Sequence, residues 1–173
     1  LAAAIGRVQM KKLPGIVARR RRLAARIRAG LRGLKAVSFP ETAPGAEPSY
    51  WFLRLRFHAD AVPFDKAAYC RALAAEGLLL NPNYASLPAT QAWFRDRKVF
   101  GSSGLPWSAP AYRGDPEARF DCPHARRAIA DHFLLTLYES WGPAEAADII
   151  AIFRKVERVC PQLARLRGKA RRA

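Results

Sequence analysis

Two periods of apolar spacing run along this 173-residue chain, and between them they predict most of its elements. Residues 2–12 (AAAIGRVQMKK) read as the end of an apolar helix. Pro14 interrupts it, because proline has no N–H to give the ladder and its ring crowds the preceding turn. The same residue suits a first helical turn, so a second helix is expected to start there. Along it Leu13, Ile16, Leu23, Ile27, Leu31 and Leu34 form one apolar stripe, while Arg19, Arg21, Arg22 and Arg28 mostly face away. Those arginines are an outer, solvated face or a place to bind phosphate. Pro40 to Pro48 (PETAPGAEP) is a loop.

The period then drops to two. In Ser49–His58 (SYWFLRLRFH), Trp51, Leu53, Leu55 and Phe57 share one side and Tyr50, Arg54, Arg56 and His58 the other, which predicts a strand with one packed face. Residues 64–76 return to helical spacing, and Gly77 suits the left-handed turn that ends a helix. Leu78 to Leu80 look like a short buried strand. From Asn81 to Phe120 the periodicity is lost among five prolines and the aromatics Trp93, Phe94, Phe100, Trp107 and Tyr112. Such a segment is a lid, a partner-contact loop or a cover over its own domain. A helix from Pro123 to about Phe133, an extended link and a last helix opened by Pro143 complete the chain. That last helix buries Ile149, Ile152, Phe153, Val156, Val159 and Cys160, and the tail ARLRGKARRA is expected to fray.

The organisation expected is therefore a helix pair over residues 1–35, a small α/β domain over 36–160 with a long aromatic loop at 81–120, and a basic tail at 161–173. The fold class is α/β, a small sheet covered by helices. No dinucleotide-binding glycine fingerprint, phosphate-cradling GxxxxGKS or repeat period occurs.

Composition adds limits. Half of the residues are hydrophobic (50%), enough for a core in one domain. No apolar run reaches the ~20 residues of a membrane span, and a soluble, cytoplasmic protein is expected. The net charge of +16 is concentrated at the ends, for residues 1–40 carry eleven bases and no acid and residues 158–173 six and no acid. The body between is close to neutral, so nucleic-acid binding is the lesser reading of that charge. Cys70, Cys122 and Cys160 lie far apart, which points to reduced thiols and neither a disulfide framework nor a zinc site.

Candidate chemistry is sparse. His124 and His132 lie eight residues apart on one expected helix, too far to share a metal, and His58 ends a strand. Cys70 and Cys122 have no adjacent basic partner, and no serine sits in a GxSxG elbow. Ser102-Ser103-Gly104 is a plain turn or a donor set for an anion. Asp115, Glu117 and Asp121 read as solubilising charge. No catalytic residue and no metal site is expected in this chain.

Four segments read in order carry a resemblance. The opening AAAIGRVQMKKLPGIVARRRRLAARIRAGLRGL, the strand SYWFLRLRF, the helix end AAEGLLLNPNY and the closing CPHARRAIADHFLLTLYESWGPAEAADIIAIFRKV together resemble the carboxyl portion of the DegT/StrS pyridoxal-phosphate sugar aminotransferases. The resemblance implies a type I aminotransferase fold, of which this would be the small domain, and usually a homodimer. It also implies pyridoxal 5'-phosphate held as a Schiff base on a large-domain lysine, and amino transfer from glutamate or glutamine to a keto sugar, either a nucleotide sugar or a cyclitol. None of Lys11, Lys12, Lys35, Lys66, Lys98, Lys155 and Lys169 stands in the family's serine-rich lysine context. The cofactor machinery is thus expected upstream of Leu1, and this portion alone is expected to be inactive. Tyr84, in NPNY, occupies the place of a Tyr-centred loop that lines the substrate side in the family. Asn81 and Asn83 are further polar contacts. The family's Tyr-x-Pro-x-His run is not kept, since Pro88 comes four residues after Tyr84 and no histidine follows. Two other readings stand beside this one: a basic nucleic-acid module using the arginine helix and tail, and a remnant that folds poorly.

Overall fold

A computed structural model describes residues 1–83 and 86–170, apart from the side chains of 160–170. The chain divides into two compact units, residues 1–82 with 131–173, and residues 83–130.

The first unit opens with α1 (Ala2–Gly30), one continuous helix of 29 residues. The expected helix pair is therefore corrected, because Pro14 lies inside α1. Proline's fixed φ is itself helical. The carbonyl it leaves without a donor belongs to Met10, which is well exposed, so water can serve it. Residues 1–15 are all exposed; packing starts further on, where Leu23, Ala24 and Ile27 are buried.

Four strands follow: β1 (Val37–Ser38), β2 (Phe52–Phe57), β3 (Leu80–Asn81) and β4 (His132–Thr136). They form an antiparallel sheet in the order β1-β2-β4-β3. β2 keeps the alternation read from sequence, with Leu53, Leu55 and Phe57 buried and Arg54 and Arg56 exposed. Trp51 does not share that packed side and is 74% exposed. The strand starts only at Phe52, after Tyr50 has turned the backbone through a positive φ of 53°. His132–Thr136, expected as a helix end and an extended link, is an interior strand of the sheet. Phe133, Leu134 and Leu135 are all buried, so no period-two signal marks the strand.

The helices α2 (Lys66–Ala75) and α5 (Pro143–Ala170) complete this unit. Tyr69, Cys70 and Leu73 of α2 join Ala146, Ile149, Phe153 and Val156 of α5, Leu23 and Ile27 of α1, and the buried faces of β2 and β4 in one core. α5 stays helical to Ala170, where a frayed tail was expected. Its approach to α1 is close enough to require glycine at position 30, since a Cβ there would lie 2.6 Å from Cγ1 of Ile150. Beside this contact the Arg154 guanidinium donates to the Gly30 carbonyl through Nη2 at 2.7 Å and Nε at 3.1 Å. One turn on, the Glu157 carboxylate accepts the N–H groups of Lys35 (2.8 Å) and Ala36 (3.0 Å). These contacts fasten the exit of α1 to α5.

The second unit contains α3 (Ala92–Arg95) and most of α4 (Pro123–Asp131). Its irregular middle is organised by rings. Phe94 meets Trp93, Trp107 and Phe120 edge-on at centroid distances of 5.7, 5.5 and 6.0 Å.

Candidate functional site

Of the sequence-predicted contacts, Asn81 follows the hand-over from α2 to β3. Asp65 caps α2 by accepting the Ala68 N–H at 2.7 Å. The far end closes with Gly77 at φ 99° and with the Leu78 N–H on the Leu73 carbonyl at 3.2 Å. That turn delivers Leu80 and Asn81 to β4, opposite Leu135 and Leu134. Asn81 is exposed at the end of an edge strand, and Asn83 is exposed in the turn after it. Tyr84 lies outside the described residues.

Beneath this edge α2 carries a second set of groups. The Lys66 ammonium donates to the His132 carbonyl at 2.9 Å, and burial lowers its pKa. One turn along, burial pushes the Cys70 thiol up to about 11, against the opposing pull of the Lys66 charge. Such a thiol is a packed apolar group and not a nucleophile. Burial disfavours the Cys70 thiolate, so this group's contribution to stability is fully present below the ordinary value of 9.0 and is lost as pH climbs from there toward about 11. A thiol reagent at about pH 8 is expected to label the half-buried Cys122 and leave Cys70 untouched until denaturant is added. Mass mapping of the labelled peptides checks this, and equal rates at both cysteines would contradict it.

The remaining candidates resolve into structural roles. His132 is not on a helix with His124; it opens β4 opposite Arg56. His58 shares a hydrogen bond of 2.8 Å with the Ser38 hydroxyl across β1 and β2. Among the described residues no group of histidines, cysteines and carboxylates could hold a metal, and no helix is long and apolar enough to cross a membrane. The serine turn is an internal one: Ser103 Oγ donates to the Phe100 carbonyl at 2.7 Å, and Ser108 Oγ to the Ser103 carbonyl at 2.9 Å. Glu117 pairs with Arg119 and Asp121 with Arg126 on the surface. Among the lysines, Lys155 is held by Glu76 at 2.6 Å, and Lys11, Lys12, Lys35 and Lys98 are exposed.

Sequence reasoning missed how the arginines of α1 are divided. Arg20 donates to Glu139 (2.9 Å) and to the Trp51 carbonyl (3.0 Å), and this hydrogen bond holds the Glu139 carboxyl below its usual range. Arg21 donates to Pro48 and Glu47, and Arg28 lies over the Phe39 ring at 4.6 Å. No signal in the sequence separates these from the arginines that stay unengaged.

No curated protein matches the chain. Among the solved structures that share its fold are TlmJ, an aminotransferase from Streptoalloteichus hindustanus (24% identity, TM-score 0.61, 90% of this chain and 35% of that one); Spr1654 from Streptococcus pneumoniae, assigned as a sugar aminotransferase (21%, TM-score 0.64, 94% and 36%); and DesV from S. venezuelae, solved with a ketimine intermediate (21%, TM-score 0.63, 90% and 35%). The chain thus spans about a third of the length of these structures. The model of the DegT/DnrJ/EryC1/StrS aminotransferase family matches residues 1–112, more than half of the chain, and the chain belongs to that family.

Proposed function

We propose that this chain is the small-domain portion of a type I, pyridoxal-phosphate-dependent sugar aminotransferase that moves an amino group from glutamate or glutamine to a keto sugar, a nucleotide sugar or a cyclitol. The observation that carries the reading is the family match over residues 1–112 in a chain about a third as long as the structures it resembles. The relatives support the chemistry, since Spr1654 has a PLP-form and DesI was solved with its TDP-sugar product. A nucleic-acid module has no counterpart among them.

The described residues do not themselves fit the cofactor. The bound coenzyme would supply an electron sink for the migrating amino group, and it needs a desolvated lysine amine with free access to its aldehyde. Lys66, whose ammonium form burial disfavours, donates to the His132 carbonyl, and Lys155 is tied to Glu76. The reading therefore places the Schiff-base lysine in polypeptide outside this sequence and leaves this chain inactive alone. Ile5, Val8, Met10 and Leu13, all exposed on α1, suit packing against that missing part. To this chain fall substrate contacts: the Tyr84 phenol and the amides of Asn81 and Asn83, whose donors and acceptors suit a sugar hydroxyl or phosphate. A cytoplasmic homodimer completes the proposal.

The test is borohydride reduction of pyridoxal phosphate onto the product of the whole reading frame, followed by peptide mapping. Label is expected on one lysine outside these residues. Stoichiometric label on Lys66, or on any of the other six lysines here, would overturn the assignment.

A further inference from the structure

Once Arg20, Arg21 and Arg28 are accounted for, four arginines of α1 remain without a hydrogen bond or ion pair among the described residues: Arg7 in the exposed first turns, and Arg19, Arg22 and Arg26 further on. The last three act together. Their spacing of three and four puts them on one face of the helix. They do not fan out over a flat surface. All three line a single cavity of about 370 Å³, together with Leu23 of α1 and Trp141, Gly142 and Pro143 at the entry to α5.

Three like charges around one concavity repel each other, and low-dielectric walls concentrate their field there. Neither nearby carboxylate relieves this. Glu139 is engaged by Arg20 and only feels the charge of Arg19, while Glu145 turns back to accept the Gly142 N–H at 2.8 Å. That second contact also engages the Gly142 N–H at the start of α5, and the guanidiniums carry the full charges that face the cavity. The Trp141 indole, held edge-on to Tyr138 at 5.1 Å, adds a fixed apolar wall.

We propose that this cavity binds a small phosphorylated molecule, its phosphate or diphosphate held by Arg19, Arg22 and Arg26 and its organic part laid against Trp141. Guanidinium forks match phosphate oxygens, and the volume is that of a small-ligand site. A nucleic-acid backbone suits the site less well, because it needs an open track of cations and these three converge on a pocket. The assignment stands apart from the transamination reading, for it uses none of Asn81, Asn83 or Tyr84.

Calorimetric titration of the chain with inorganic pyrophosphate tests it, alongside the double variant R22Q/R26Q and the control R71Q, which loses an exposed arginine on α2. Saturable binding at one site is expected, with a rise in melting temperature that tracks ligand concentration. The double variant should weaken binding at least tenfold, while R71Q stays within about twofold. Melting of each variant without ligand confirms that it is folded. If R71Q and R22Q/R26Q weaken binding alike, the attraction belongs to the net charge and the site is refuted. The absence of saturation in the unmodified chain refutes it too. A DNA duplex that displaces pyrophosphate and is lost with the same two arginines would reassign the surface to nucleic acid.

Discussion

Replacing Phe133 by Ala is expected to cost the chain about 3–5 kcal/mol, the range for deleting a fully enclosed aromatic side chain and leaving its cavity. Phe133 has no exposed surface, and it stands on β4 opposite Leu55 of β2. Its ring meets Tyr69 of α2 edge-on at 6.3 Å and lies nearly parallel to Phe153 of α5 at 6.5 Å. One side chain therefore joins the sheet to two helices, and collapse around the void would require three elements to shift together. Against a total stability of roughly 5–15 kcal/mol, such a loss is a large share. Urea unfolding followed by circular dichroism should show the midpoint drop with the slope unchanged. Phe133→Leu should retain most of the midpoint, and Phe100→Ala, at a position 66% exposed, should move stability by no more than about 0.5 kcal/mol. Equal effects at Phe133 and Phe100 would mean that the core described here is not the one that holds the fold.

The reason Phe133 escapes a reading of the sequence is the reason it matters. β2 was legible because one of its faces is polar, so Leu53, Leu55 and Phe57 alternate with Arg54 and Arg56. β4 lies between β2 and β3 and buries Phe133, Leu134 and Leu135 in succession, which erases the alternation and leaves a short apolar run that fits a link as well as a strand. The end of α2 was legible for the opposite reason. Gly77 acts within one helical turn, by a left-handed backbone, and no distant partner is needed. Pro14 was misread because its local penalty is real yet smaller than the cooperative gain of one long helix. At the site, the position of Asn81 and Asn83 beyond α2 followed from chain order. The sorting of the arginines did not, since Arg20 and Arg22 differ only in what other elements bring to them: Glu139 for one, an open cavity with Trp141 for the other.

The unit of residues 83–130 shows this dependence on non-local partners in its strongest form, and Arg97→Ala is expected to melt it. No described side chain in the unit is fully buried, so burial alone cannot order it against chain entropy. What converges instead is Arg97. Its guanidinium donates to the carbonyls of Ala118 (2.6 Å), Pro116 (2.7 Å) and Phe94 (2.8 Å), and it lies over the rings of Phe94 and Trp107 at 4.8 Å each. Three charge-assisted bonds and two cation–π contacts, discounted for their partial exposure, amount to roughly 2–4 kcal/mol of local stability. Two of those bonds span 19 and 21 residues, so losing the side chain opens the loop they close. Lysine is a poor substitute, because an ammonium cannot fork to carbonyls on both sides while stacking between two rings. Limited trypsin digestion is therefore expected to cut R97A and R97K rapidly between residues 83 and 130 while β2 and β4 stay protected. Phe94→Ala, which removes one of the two rings and the centre of the aromatic cluster, should do the same. A digestion pattern unchanged in all three variants would show that the unit is held together by something other than Arg97 and the rings around it.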